Sequence, residues 1–209
     1  MFRKTFILCT VALATALTSC SSDTADKKSP DARLAAGKVC GGVPSEAASS
    51  LEDITETKEF KYINHSSVPG VLKRGLETSS AATGESRYLF CEIRPQQPAG
   101  KNAVRKISVF FETIDRLPPD ESEAVGVTTL PIGLRAIGDD GNADIFFDCK
   151  SSDSTTGEND RSIVHAELVY GATPRKADPR ERNLRVLQAL AFKMAQSLGC
   201  AGNGGIPRV

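Results

Sequence analysis

Two hydrophobic periods run along this chain and divide it into elements. In residues 87–94, Leu89, Cys91 and Ile93 alternate with Tyr88, Phe90 and Glu92. In 104–114, Ile107, Val109 and Phe111 alternate with Lys106, Ser108 and Glu112. A period of two with one apolar side is the mark of a half-buried antiparallel strand. The same period carries Leu130, Ile132, Leu134 and Ala136 in a single strand over 127–137. Pro131 costs that strand a ladder hydrogen bond and places it at a sheet edge or at a bulge. Asp139-Asp140-Gly141-Asn142 reads as a hairpin turn, after which Ile145, Phe147 and Cys149 return on one face. Val164, Ala166, Leu168 and Tyr170 form one face of a last strand, and Phe60 to Ile63 begin a first one. Pro69-Gly70 is read as a break, and 71–76 fits either a helical turn or a loop.

The helical period appears twice. Ala47, Leu51 and Ile54 make a short stripe after Pro44 and Ser45, which suit the first helical position and an N-cap. Near the C-terminus, Leu184, Leu187, Leu190, Ala191, Met194 and Leu198 make a long one. Asp178-Pro179-Arg180-Glu181 opens it as a variant capping box, and Gly199 closes it. The sum predicts an α+β fold: an antiparallel sheet of four to six strands, with an N-terminal and a C-terminal helix packed on one face. Phe90, Phe110 and Phe146 then fall on the opposite face. A curled or loop-covered sheet accounts for them, and an exposed apolar partner surface is the sharper alternative.

The N-terminus follows a different pattern. Arg3 and Lys4 precede an apolar run from Phe6 to Leu17, too short to span a bilayer comfortably. Leu17-Thr18-Ser19-Cys20 closes it and resembles a bacterial lipobox. The resemblance implies diacylglyceryl transfer to the Cys20 thiol and cleavage before it. Residues 1–19 are then a signal peptide, 20–36 a lipidated N-terminus and flexible tether, 37–201 one disulfide-stapled domain, and 202–209 a flexible tail. A random coil of about 17 residues reaches on the order of 23 Å, which holds a domain just off the bilayer.

Charge weighs against two classes of partner. The 26 basic residues balance 26 acidic ones. Losing Arg3 and Lys4 leaves the mature chain two charges negative, with no strong field to steer nucleic acid or an acidic membrane surface and no basic run beyond pairs such as Lys27-Lys28 and Lys73-Arg74. Of six Cys, Cys9 leaves with the signal and Cys20 takes the lipid. Cys40, Cys91, Cys149 and Cys200 remain, an even number in an exported domain, with no C-x-x-C spacing for a metal. Three connectivities are open. Cys40–Cys91 with Cys149–Cys200 is favoured, because each bond would tie a helix terminus to a strand beside it.

Catalytic signatures are missing: no G-x-S-x-G, no H-E-x-x-H and no phosphate-binding loop. His65 in Asn64-His65-Ser66-Ser67 and His165 beside Glu167 read as solvated surface residues. Asp140, Asn142 and Asp144 share a D-x-N-x-D spacing but lack the glycine and terminal glutamate of a Ca²⁺ loop, so a turn explains them. Asp115, Asp120, Glu121 and Glu123 read as a solvated acidic loop. No cofactor or metal is called for.

Taken together, Leu17-Thr18-Ser19-Cys20, Cys40-Gly41-Gly42 and Leu198-Gly199-Cys200 resemble the layout of small secreted lipoproteins of high-GC Gram-positive bacteria. The resemblance implies lipidation at Cys20 and assigns no other site residue. The expected function is a lipid-anchored extracytoplasmic module, on the outer face of the cytoplasmic membrane, binding an unidentified protein or small molecule. A cell-envelope hydrolase built from His and carboxylate or Ser residues is the first alternative, and an accessory subunit of a membrane complex the second.

Overall fold

A computed structural model describes residues 33–77, 87–96, 104–119, 126–150, 163–170 and 178–209. The signal segment, Cys20 and residues 120–123 of the acidic loop lie outside the described residues. The described chain runs through a 3-10 segment (Ala36–Gly41), α1 (Ser45–Thr55), β1 (Phe60–Asn64), α2 (Val68–Glu77) and β2 (Tyr88–Pro95). It continues through β3 (Ile107–Ile114), β4 (Thr128–Leu130), β5 (Arg135–Gly138), β6 (Asn142–Asp148) and β7 (Ile163–Tyr170), and ends with α3 (Pro179–Leu198) and a second 3-10 segment (Ala201–Gly205). The fold is α+β. Its seven strands form one antiparallel sheet in the order β1-β2-β3-β7-β6-β5-β4.

Strand alternation gives the sheet two unlike faces. On one, Ile107, Val109, Phe111, Ala143, Ile145, Phe147, Val164, Ala166 and Leu168 are fully buried. The α3 stripe, with Leu184, Leu187, Leu190 and Ala191 fully buried, packs on β5, β6 and β7, while α2 packs at β2 and β3. Each such leucine contributes about 1.5–3 kcal/mol by leaving water. The third helix, α1, packs against α3 and the first 3-10 segment. Tyr170 ties the β5–β6 turn to α3. Its hydroxyl lies 3.0 Å from both the Asp140 carbonyl and Asn183 Oδ1, and Asn183 Nδ2 donates to the Asp139 carbonyl. Burial pushes the Tyr170 phenol up to about 12, so it stays a donor.

The disulfides are Cys40–Cys91 and Cys149–Cys200, the favoured connectivity, with Cα–Cα distances of 5.7 and 4.5 Å. One staples the first 3-10 segment to β2. The other joins the residue after β6 to the residue after Gly199, where α3 stops in a left-handed cap.

Several expectations need correction. The strand expected over 127–137 is two, β4 and β5, folded back on each other through residues 131–134. Gly133 makes the reversal, with φ +62; its N–H donates to the Gly205 carbonyl, and Leu134 N–H to that of Phe146. A Cβ at Gly133 would stand 2.5 Å from the Phe146 carbonyl oxygen. Gly133→Ala is therefore expected to destabilise the domain by about 1–3 kcal/mol, through backbone strain and this clash. An unchanged urea midpoint would show that the reversal does not depend on glycine. Pro131 ends β4, which is indeed an edge strand. Pro69-Gly70 lies in the first turn of α2 rather than breaking the chain, because proline's missing N–H costs nothing there. In α1 the N-cap position belongs to Pro44, not Ser45. The capping box of α3 does not form: Asp178 is left-handed and makes no side-chain cap, and Glu181 bonds Arg185 instead.

Both domain boundaries also move outward. Leu34 pairs with Phe60 and Ala36 is fully buried, so the fold starts inside the segment expected as tether. Residues 202–209 were expected to be a free tail. Instead left-handed Gly204 packs against Phe147, Ile206 is buried, and Gln188 Nε2 donates to the Pro207 carbonyl.

Candidate functional site

The sheet face away from the helices carries charge. Antiparallel register lays its side chains out in rows that run across the strands. One row reads Glu112 on β3, His165 on β7, Phe146 on β6 and Arg135 on β5. The next reads Leu89 on β2, Phe110 on β3, Glu167 on β7 and Asp144 on β6. Neighbours in a row stand close enough to interact directly.

His165 is the centre of this arrangement. Its Nδ1 lies 2.7 Å from Glu112 Oε1 and its Nε2 2.7 Å from Asp144 Oδ1. An ionised carboxylate only accepts, so both contacts are hydrogen bonds only when the imidazole carries both protons. Burial pulls His165 toward its neutral form. The hydrogen bonds and negative charges of Asp144 and Glu112 outweigh that pull and raise its pKa above 6.5. The ring stacks on Phe146, with centroids 4.4 Å apart and planes 7° from parallel.

Two arginines complete the cluster. Arg135 lies over Phe146 at 4.8 Å, and its Nη1 donates to the Pro119 carbonyl. Arg87 pairs with Glu167 at 2.5 Å and covers the Phe110 ring at 3.8 Å. Burial raises the Glu167 carboxyl above its ordinary range. Arg87 and His165 oppose the shift, and Asp144 and Glu112 reinforce it. With His165 protonated, three cations face three carboxylates and the cluster is balanced.

Beside it lies a concavity of about 750 Å³, lined by Glu112, Ile114, Arg116, Leu117, Pro118, Pro119, Phe146 and His165. Its rim includes Leu117, 37% exposed. The arrangement offers a mixed apolar and charged surface. When His165 is protonated, both its ring N–H groups are taken by Glu112 and Asp144, and the ring then has no lone pair with which to take a proton or bind a metal. Among the described residues, no group of three His, Cys, Asp or Glu is placed to hold a metal ion.

His165 is not a solvated surface residue: its side chain is 14% exposed and bridged on both sides. His65 does stand exposed, in the loop after β1, and takes no part in the concavity. Phe110 and Phe146 lie on the outer face as expected, but Phe146 is buried between His165 and Arg135. Phe90 is not on that face. A bulge between Leu89 and Cys91 inserts one residue, resets the alternation and turns Phe90 inward. There it is 5% exposed and meets Phe111 edge to face at 5.4 Å. The residues Asp140, Asn142 and Asp144 diverge: Asp140 pairs with Arg180, Asn142 bonds Asp139 within the turn, and Asp144 joins His165. Glu112, Asp144, Arg87 and Arg135 were not anticipated as a set. Their shared signal is an outward position on a strand, which selects no partner until the register is known.

In comparisons with known proteins, no family model, no curated protein and no solved structure matches this chain.

Proposed function

We propose that this chain is a binding module of the bacterial cell surface, tethered by lipid on Cys20, that receives its partner at the concavity beside His165. The observation that carries this reading is the double hydrogen bond of His165. A recognition surface needs fixed charges and shaped apolar walls, and Glu112 and His165, lining the concavity with Phe146, Leu117 and two prolines, supply both. A hydrolase built on a histidine base would need an imidazole with a free lone pair. His165 presents none while bridged, and His65 lies away from the concavity. No helix among the described residues is long and apolar enough to cross a membrane, so the membrane association proposed here rests on the lipobox.

Two measurements test this reading. Cys20→Ala is expected to abolish lipidation and release the chain from the membrane fraction; membrane retention with unchanged mass would refute the anchor. A photo-reactive residue at Leu117, irradiated on intact cells, is expected to give a recurrent adduct that the same residue at exposed Ser49 on α1 does not. Equal adducts at both positions, or none at Leu117, would refute the site. An adduct with an integral membrane protein would make the chain an accessory subunit of a membrane complex.

A further inference from the structure

From an arginine that lines the concavity outside the charge balance of the His165 cluster, and from the apolar wall beside it, we infer that this site binds a small amphiphilic monoanion. Its ligand is an apolar chain that ends in one carboxylate or one phosphodiester. The inference rests on the reading of the concavity as the binding site and names what it takes. Arg116 lines the concavity with Leu117, Pro118 and Pro119, in the segment that leaves β3 at Ile114. It stands exposed, and among the described residues no carboxylate pairs with it.

The wall that carries Arg116 is held at both ends. On one side it continues directly from the paired end of β3, where Ile114 stands opposite Ile163 of β7. On the other, Arg135 Nη1 on β5 donates to the Pro119 carbonyl at 3.1 Å. Between these points Pro118 and Pro119 have φ fixed by their rings. A wall restrained in this way loses little freedom when a ligand arrives, which favours binding. The concavity, about 750 Å³, has the size of a small-molecule site.

Charge selects among ligands. On the floor, Glu112 and His165 neutralise one another, with Asp144 on the far side of the ring. Arg116 takes no part in that balance, and Asp115 beside it in sequence does not line the concavity. A cationic ligand would face Arg116 and the protonated ring together. A neutral one would leave the guanidinium without a counter-charge, and a second negative charge beside the first would face Glu112. One carboxylate suits the planar guanidinium, whose N–H groups donate to both of its oxygens. Ile114, Leu117 and the two prolines supply apolar contact for the remainder of the ligand, with Leu117 37% exposed in the empty protein. An apolar chain laid against them leaves water, and so does the leucine.

The test titrates octanoate, well below its micellar concentration, into the chain carrying Cys20→Ala, which has no lipid and needs no detergent. Calorimetry is expected to show one saturable site. Octanol, octyltrimethylammonium and acetate should each bind at least about tenfold more weakly, since each lacks either the anion or the chain. Arg116→Gln should weaken octanoate by about tenfold or more and leave octanol unchanged, as expected for the loss of a charge-assisted hydrogen-bonded pair. Leu117→Asn should weaken both, whereas Ile63→Asn, at an exposed apolar residue on β1, should weaken neither. A single-chain phosphatidylglycerol of the same acyl length separates two sources of this chemistry: tighter binding than octanoate assigns a bilayer-derived lipid, weaker binding a free acid. Equal affinity for octanoate and octanol, octanoate binding indifferent to Arg116→Gln, or no saturable binding of either anion would overturn the inference. The ligand comparison uses unsubstituted Arg116, so a folding defect in a variant cannot mimic it. The site itself is judged separately by the Leu117 adducts on cells. A recurrent protein adduct there, without binding of either anion, would overturn the amphiphile and leave the concavity standing as the binding site.

Discussion

Replacing Cys40 and Cys91 together by serine is expected to destabilise the domain by about 4 kcal/mol. The two residues are 51 apart in sequence, and in the chain-entropy account closing a loop of that size restricts the unfolded ensemble by about this amount. For a domain of this size the melting temperature should fall by roughly 8–16 °C. Both cysteines are fully buried, and serine in their place leaves two hydroxyls in an apolar setting, which adds to the loss. The bond also fixes a local geometry. Cys40 has φ +50, an unfavourable conformation for a side-chain residue, at the kink of the first 3-10 segment. Lys193 on α3 donates to the Gly41 carbonyl at 2.5 Å across the same kink. Loss of the bond should therefore loosen the seat of α3 as well as the start of the fold. Cys149→Ser/Cys200→Ser spans the same separation of 51, and the chain-entropy account gives it the same cost. A clear difference between the two double variants would report native-state packing, and unchanged melting in both would show that neither bond staples the fold. Peptide mapping without reductant should recover the 40–91 and 149–200 pairs.

What the sequence revealed depended on how local each signal was. The stripe from Leu184 to Leu198 repeats over about four turns and ends at Gly199, so the helix and its stop were legible from neighbouring residues alone. The hairpin at Asp139–Asn142 was legible for the same reason: Asp139 Oδ1 accepts the N–H groups of Gly141 and Asn142 within the turn itself. Signals that depend on the partner strand were not. The bulge at Phe90 follows from how β2 meets β3, and no residue nearby announces it. Pro131 and Gly133 marked a disturbance in 127–137, but a disturbance does not distinguish a bulge from a reversal. The site shows the same limit most sharply. His165 lies 53 residues from Glu112 and 21 from Asp144. Only the order β3-β7-β6 places a histidine between two carboxylates. Read along the chain, it was a lone imidazole next to Glu167.

Removing the His165 bridge is the second large effect, and its pH dependence separates a charged bridge from mere packing. His165→Gln leaves Glu112, Asp144 and Glu167 facing one another with Arg87 and Arg135 as the remaining cations, and with Arg116 at the rim. Breaking a fully buried ion pair costs about 3–5 kcal/mol. These side chains keep some water, with 14% exposure at His165, 18% at Glu112 and 32% at Asp144, so about 2–3 kcal/mol is expected near pH 6. The folded pKa of His165 is raised above the unfolded 6.5. Its contribution is therefore complete below pH 6.5 and is lost as pH climbs through the folded value. The raised carboxyl of Glu167 acts in the same direction at lower pH, since folding there favours the protonated acid. The unsubstituted protein should lose stability steadily as pH rises from 6.5. His165→Gln should be flatter over that window, and the gap between the two should narrow by pH 9. Exposed His65 is present in both proteins and drops out of the difference. A gap that stays constant from pH 6 to pH 9 would mean that His165 contributes by packing on Phe146 and not by charge. If the gap narrows as expected, photo-adducts at Leu117 should also decline at alkaline pH, because the floor of the concavity is held by the same proton.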